Sequence, residues 1–383
     1  GPRPPPMQAA AVVAALQNED SRMHPDSDRR AWPTWLGAPL LALLLAAGVR
    51  ADDAPPMSVQ HDVVFDGYSP LARTETLLGR VLTPLMLERI RLEATASGQA
   101  IAERSIDLAK ERFALYVPSG AAPAAGYGLL VFVPPWEQAV IPAKWLPVLA
   151  RHDLIVVTAA QSDNAASLVE RRMPLALTGY ENVRKRYPLD PARVYVGGFS
   201  GGSRVAQRLA LAFPDVFRGA LLNSSSDPIG TPLVPLPDAG LFRQFEERTR
   251  LVYATGSDDE AALGSDRHSR DSEQALCFTD IETFTMHGRA HVPADPSTLE
   301  HALDALDAPR EAGAGLDACR ARRDARIRQQ LAEVEKLIAG GDLQGADKRL
   351  GEVDGQFGGL ALPASLTFAR ELAAHGIISS AKP

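Results

Sequence analysis

Between residues 112 and 306 the chain alternates short apolar runs with helix-length stretches, and no other feature limits its fold so tightly. The runs at 112–118, 129–133, 154–157, 194–197, 219–222, 251–254 and 281–286 are all of strand length. Several are rich in β-branched residues, as strands buried on both faces tend to be. Helix-length stretches lie between them at 143–151, 165–186, 202–213, 239–247 and 297–306, and helical spacing also marks 82–95. This succession predicts an α/β fold: a doubly wound, mostly parallel sheet with helices on both faces. No internal repeat at a solenoid or propeller period competes with that reading.

One junction in the alternation carries a chemical motif. Gly198-Phe199-Ser200-Gly201-Gly202 follows a β-rich run directly and opens a helix directly. It matches G-x-S-x-G, the turn that presents a nucleophilic serine above a sheet edge. A turn this tight needs small residues two positions either side of the serine. The helix behind it offers backbone N–H groups to a developing oxyanion, Gly201 among them.

A nucleophilic serine needs a base and an acid that orients the base. In this fold they come later in the chain, acid before histidine. The run at 251–254 leads into Thr255-Gly256-Ser257-Asp258-Asp259, where the acid belongs. Asp259 is favoured over Asp258, with Asp227 a more distant candidate. Paired aspartates after a strand are also ordinary turn residues. The run at 281–286 leads into His287-Gly288-Arg289-Ala290-His291-Val292-Pro293. His291 is favoured as base, because His287 sits too close to its strand to reach over Ser200.

With these residues the chain resembles the α/β-hydrolase superfamily. Within it, the chain looks most like secreted esterases grouped with poly(3-hydroxybutyrate) depolymerases and feruloyl esterases. The resemblance covers roughly residues 112–306 and extends to Tyr187-Pro188-Leu189-Asp190-Pro191, Phe213-Pro214-Asp215, Gly256-Ser257-Asp258-Asp259 and Gly288-Arg289-Ala290-His291. It implies a Ser200–His291–Asp259 triad acting through an acyl-enzyme. Many such esterases carry His-Gly after the first long central strand, where the backbone gives a second oxyanion donor. Here Val133 runs into Pro134-Pro135-Trp136. Proline has no N–H, so the donor on this loop is expected to be Trp136 N–H or one just beyond it. Losing one such donor can lower the rate about 100-fold or more. The depolymerases' separate polymer-binding module has no counterpart, which points to a small or soluble ester.

The formal charge of −7 leaves no basic excess for nucleic acid. Residues 1–51 read as upstream residues and a signal peptide starting at Met23, with Arg29 and Arg30 ahead of the apolar run 36–48. That run is short of the roughly 20 residues a bilayer span needs and contains Pro39. Export to the periplasm or beyond is therefore expected, with the route open and no stable membrane span. In an exported protein Cys277 and Cys319 are expected to pair. A catalytic domain is expected over 52–310. Residues 311–315 read as a joint, and 311–383 as a helical appendage with helices at 316–339, 343–353 and 365–375. These helices either dock on the body or offer a surface to a protein partner. The function expected is hydrolysis of carboxylic esters by a serine hydrolase without metal or organic cofactor. The rivals are a serine peptidase on the same fold and a non-catalytic binding protein that retains it.

Overall fold

The structure, a computed structural model, describes residues 58–377 apart from 97, 99, 105 and 311–314. The expected signal segment and most of the expected joint lie outside the described residues. In chain order the elements are β1 (Val59–Val63), α1 (Thr74–Val81), α2 (Pro84–Ala96), β2 (Phe113–Tyr116), β3 (Tyr127–Val133), α3 (Leu146–Arg151) and β4 (Leu154–Ala159). A π-helical turn, Leu168–Arg172, then leads into α4 (Met173–Arg186). The chain continues through β5 (Leu189–Phe199), α5 (Gly201–Ala212), β6 (Gly219–Asn223), α6 (Ala239–Arg248) and β7 (Arg250–Gly256). After these come α7 (Glu260–Ala275), β8 (Ile281–Met286), α8 (Pro296–Asp307), α9 (Leu316–Ala339), α10 (Leu343–Phe357) and α11 (Ala364–Ala374).

The eight strands form one sheet in the order β1-β2-β4-β3-β5-β6-β7-β8. Strand β2 runs antiparallel to both neighbours, and the strands from β4 to β8 are parallel. This is the mostly parallel, doubly wound sheet that the sequence predicts. Both faces are covered, and the strand sequences show why. In β3, Leu129, Val131 and Val133 enter the core on one face, while Leu130 and Phe132 enter the core on the other. In β4, Ile155 and Val157 divide from Leu154 and Val156 in the same way. A period of two with apolar residues on both sides requires helices above and below. Helices α4, α5 and α6 supply the first layer, and α3 and α8 the second. Each large side chain buried in this way contributes roughly 1.5–3 kcal/mol.

Three elements differ from the sequence expectation. The helix expected at 82–95 starts at Pro84, and a separate helix, α1, precedes it. Leu82 is extended between them (φ −106°, ψ 157°), and proline pre-sets the first residue of the second helix. Strand β1, mostly exposed and polar, pairs along β2 although its sequence carries little apolar signal. Helix α7 was not anticipated at all. Its fully buried residues include Asp266, Ser269 and Glu273, so its inward stripe is polar and hydrophobic periodicity cannot register it.

The C-terminal helices dock on the body. Val334, Ala346, Leu350 and Leu372 share a small core with Leu85 of α2. The Asp354 carboxylate of α10 accepts the Leu85 N–H at 3.3 Å. Helix α10 runs beyond its expected end at 353 because Phe357 extends the buried stripe of Leu350 and Val353. Buried Glu246 of α6 pairs with Arg320 and Arg323 of α9 at 2.9 and 2.6 Å. Cys277 and Cys319 form a disulfide, with their Cα atoms 5.8 Å apart. It ties the end of α7 to the start of α9.

Candidate active site

Ser200 lies between the last residue of β5 and the first of α5, in a backbone conformation that L-residues rarely adopt (φ 55°, ψ −127°). Backbone strain of this kind is typically about 1–3 kcal/mol and persists only where the surroundings enforce it. Here the surroundings are backbone. A Cβ on Gly198 would sit 2.2 Å from the Gly202 carbonyl, and one on Gly202 would sit 2.0 Å from the Val133 oxygen. Those two approaches are the physical content of the glycine pattern read in the sequence. The Ser200 N–H donates to the Asn223 carbonyl at 2.9 Å, which fixes the turn to β6.

Above this turn three side chains lie in line. His291 Nε2 is 2.8 Å from Ser200 Oγ, and His291 Nδ1 is 2.6 Å from Asp259 Oδ2. With Asp259 ionised, Nδ1 carries the proton and Nε2 accepts from the serine hydroxyl. Asp259 is buried and also caps α7, its Oδ1 accepting the Ala262 N–H at 3.3 Å. One carboxylate therefore serves both the histidine and the positive end of a helix. The His291 ring rests on Phe199 with centroids 4.8 Å apart.

The competing candidates lie elsewhere. Asp258 is exposed and accepts from the Ser257 hydroxyl at 2.8 Å. Asp227 pairs with Arg204 and Arg208 at 3.2 and 2.9 Å. His287 is exposed.

Gly201 opens α5, so its N–H belongs to the first turn, whose donors have no partner within the helix. The Asn164 side chain packs against it so closely that a Cβ would meet Oδ1 at 2.1 Å. The Pro134-Pro135-Trp136 loop is held by its carbonyls. Arg172 Nη2 donates to Pro134 O at 3.0 Å, Asn164 N–H to Pro135 O at 3.2 Å, and Gln161 N–H to Glu137 O at 2.5 Å. Buried Arg172 also donates from Nε to Ser162 O at 3.1 Å, clamping both loops together. In a trans peptide the N–H points opposite the carbonyl, so the Trp136 N–H faces away from residues 161–164. Sequence reasoning missed Arg172 and Asn164, because an arginine inside a helical stretch and an asparagine in a loop carry no pattern of their own. The π-turn that holds Arg172 is a feature often found beside functional sites.

A buried polar cluster underlies the acid's loop. Asp266 accepts from Ser226 and Thr255 at 2.6 and 2.5 Å. Glu273 Oε1 accepts from Tyr253 at 2.8 Å and from Gln207 at 3.1 Å. Burial pushes the Glu273 carboxyl up to about 8 and raises Asp266 as well.

Beside the triad a cleft of about 890 Å³ opens between residues 136–144, which follow β3, and 286–295, which run on from the last residue of β8. Trp136, Val140, Pro142, Met286, Val292 and Pro293 give it an apolar lining. The Trp145 indole joins the two segments by donating to Ala294 O at 2.8 Å. Among the described residues no three His, Cys, Asp or Glu side chains gather as a metal site would require, and no helix is long and apolar enough to cross a membrane.

No family model and no curated protein matches the chain. Solved structures do match it in shape. One is an S-formylglutathione hydrolase from Staphylococcus aureus, at 13% identity over 51% of this chain and 91% of that one, TM-score 0.38. Another is a ferulic acid esterase, at 12% identity over 50% of this chain and 88% of that one, TM-score 0.37. A third is a puromycin-hydrolyzing peptidase from Mycobacterium tuberculosis, at 16% identity over 51% of this chain and TM-score 0.37. This chain spans only 36% of that peptidase's length.

Proposed function

We propose that the chain is an exported serine hydrolase that cleaves small or soluble carboxylic esters. The observation that carries the reading is the continuous relay from Ser200 Oγ through His291 to Asp259, built on a strained turn. Ser200 Oγ attacks the ester carbonyl while His291 Nε2 takes its proton. The tetrahedral oxyanion lies against the Gly201 N–H, with Trp136 N–H as the second donor. Collapse expels the alcohol, which receives the proton from His291. Water then attacks the acyl-enzyme by the same route and releases the acid. Asp259 holds the imidazole tautomer and stabilises the imidazolium formed in each half-reaction. Residues 52–310 form the catalytic domain and 311–383 an appendage. The disulfide supports an oxidising compartment, periplasmic or extracellular.

The test is intact-mass analysis after exposure to a fluorophosphonate, with Ser200→Ala in parallel. One adduct on the wild type and none on the variant is the expected result. A folded wild type that takes no adduct would refute the reading and favour a non-catalytic binding role. Matched ester and anilide substrates then separate an esterase from a peptidase, with faster ester turnover expected.

A further inference from the structure

The cleft beside the triad carries more positive than negative side chains. Lys144 and Arg289 line it from opposite segments, both exposed, and neither is ion-paired to a described residue. Asp295 is the acidic residue among the lining groups, and its carboxylate is engaged as the cap of α8, accepting the Thr298 N–H at 2.9 Å. That amide, helped by Arg289 and Lys144, holds Asp295 below the usual carboxylate range. The Trp136 indole N–H is buried and has no hydrogen-bond partner among the described residues. The chain as a whole carries a net charge of −7, which makes a positive mouth a local exception to the protein's own field.

We infer that this cleft takes an ester whose acyl chain is apolar and ends in a carboxylate, the carboxylate lying between Lys144 and Arg289. The inference rests on the ester-hydrolase reading of the triad. The apolar lining suits the methylene chain, and a volume of about 890 Å³ falls within the usual range for small-molecule sites. Two cations against one carboxylate leave a net charge of +1 in the cleft. A singly charged carboxylate balances that charge, whereas a dianionic phosphate exceeds it.

The experiment compares kcat/KM for mono-(4-nitrophenyl) glutarate with that for 4-nitrophenyl pentanoate, which has the same chain length without the charge. The expected ratio is about tenfold or more in favour of the glutarate at low ionic strength. It should shrink in 0.5 M salt, because exposed charges are screened. Lys144→Gln and Arg289→Gln should each lower the ratio, and the double variant should bring it close to one. Wild type that hydrolyses pentanoate as well as glutarate would overturn the inference and leave the hydrolase reading intact. A double variant that keeps the full preference would overturn it equally. Failure of wild type to hydrolyse either ester, with no fluorophosphonate adduct, would overturn both.

Discussion

Asp259 does two things at once, and the two can be separated by substitution. Its Oδ2 meets His291 at 2.6 Å while its Oδ1 caps α7 at 3.3 Å. Asparagine is as good a helix cap as aspartate, but it cannot carry the charge that stabilises an imidazolium, and it favours the wrong tautomer. Asp259→Asn is therefore expected to keep the wild-type melting temperature and to lower kcat about 10⁴-fold. Asp259→Ala should lose the same activity and, in addition, about 1 kcal/mol of stability. Thermal melts run beside ester kinetics on both variants check this. Equal melting temperatures for the two would mean that the cap contributes nothing.

At the scale of an element, α7 is the unusual piece, since it presents Asp266, Ser269 and Glu273 to the interior where other helices present leucine or valine. The cluster they form is satisfied mainly by side chains on β7, α5 and the segment after β6. Its consequence is a pH dependence of stability whose sign can be worked out. The Glu273 carboxyl lies at about 8 in the folded protein against 4.5 when exposed. Between those values the folded state holds a proton that the unfolded state has released, so stability falls as pH rises through the window. Below it both states are protonated and the contribution is constant. Glu273→Gln stays neutral throughout, and should gain stability relative to wild type from pH 5 to pH 8. Urea midpoints measured at both pH values should diverge in that direction; parallel midpoints would show that Glu273 is ionised in the fold.

At the scale of the whole molecule, the C-terminal helices are fastened by three different means. A small apolar core joins them to α2, the Glu246–Arg320–Arg323 group joins α9 to α6, and the disulfide joins α9 to the end of α7. The bridge closes a sequence separation of 42 residues, for which a stabilisation of about 2–4 kcal/mol is typical. A reductant, or the paired Cys277→Ser and Cys319→Ser change, should lower the unfolding free energy extrapolated from urea melts by that amount. The adduct yield with fluorophosphonate in the absence of denaturant should stay as it was, because neither cysteine touches the triad. Loss of labelling with the fold intact would mean that the appendage governs the site.

What the amino-acid sequence determined by itself was whatever depends on near neighbours along the chain. Strand periodicity in β3 and β4, the helix-forming stretches, and the two glycines flanking Ser200 are local properties, so the sheet and its serine turn were legible. So were the places of Ser200, Asp259 and His291, because each lies at or shortly after the end of a strand. The tertiary structure decided what depends on residues far apart. Asp258 and Asp259 are neighbours in one turn, and the path of the His291 loop brings Asp259, the one favoured from the sequence, to 2.6 Å. Helix α7 is stabilised by polar groups on other elements, which leaves no apolar period to read. Arg172 holds a loop 38 residues away, and the cleft joins segments that follow strands set four places apart in the sheet. Contacts of that kind arise from packing, and packing leaves no mark on the local pattern of a sequence.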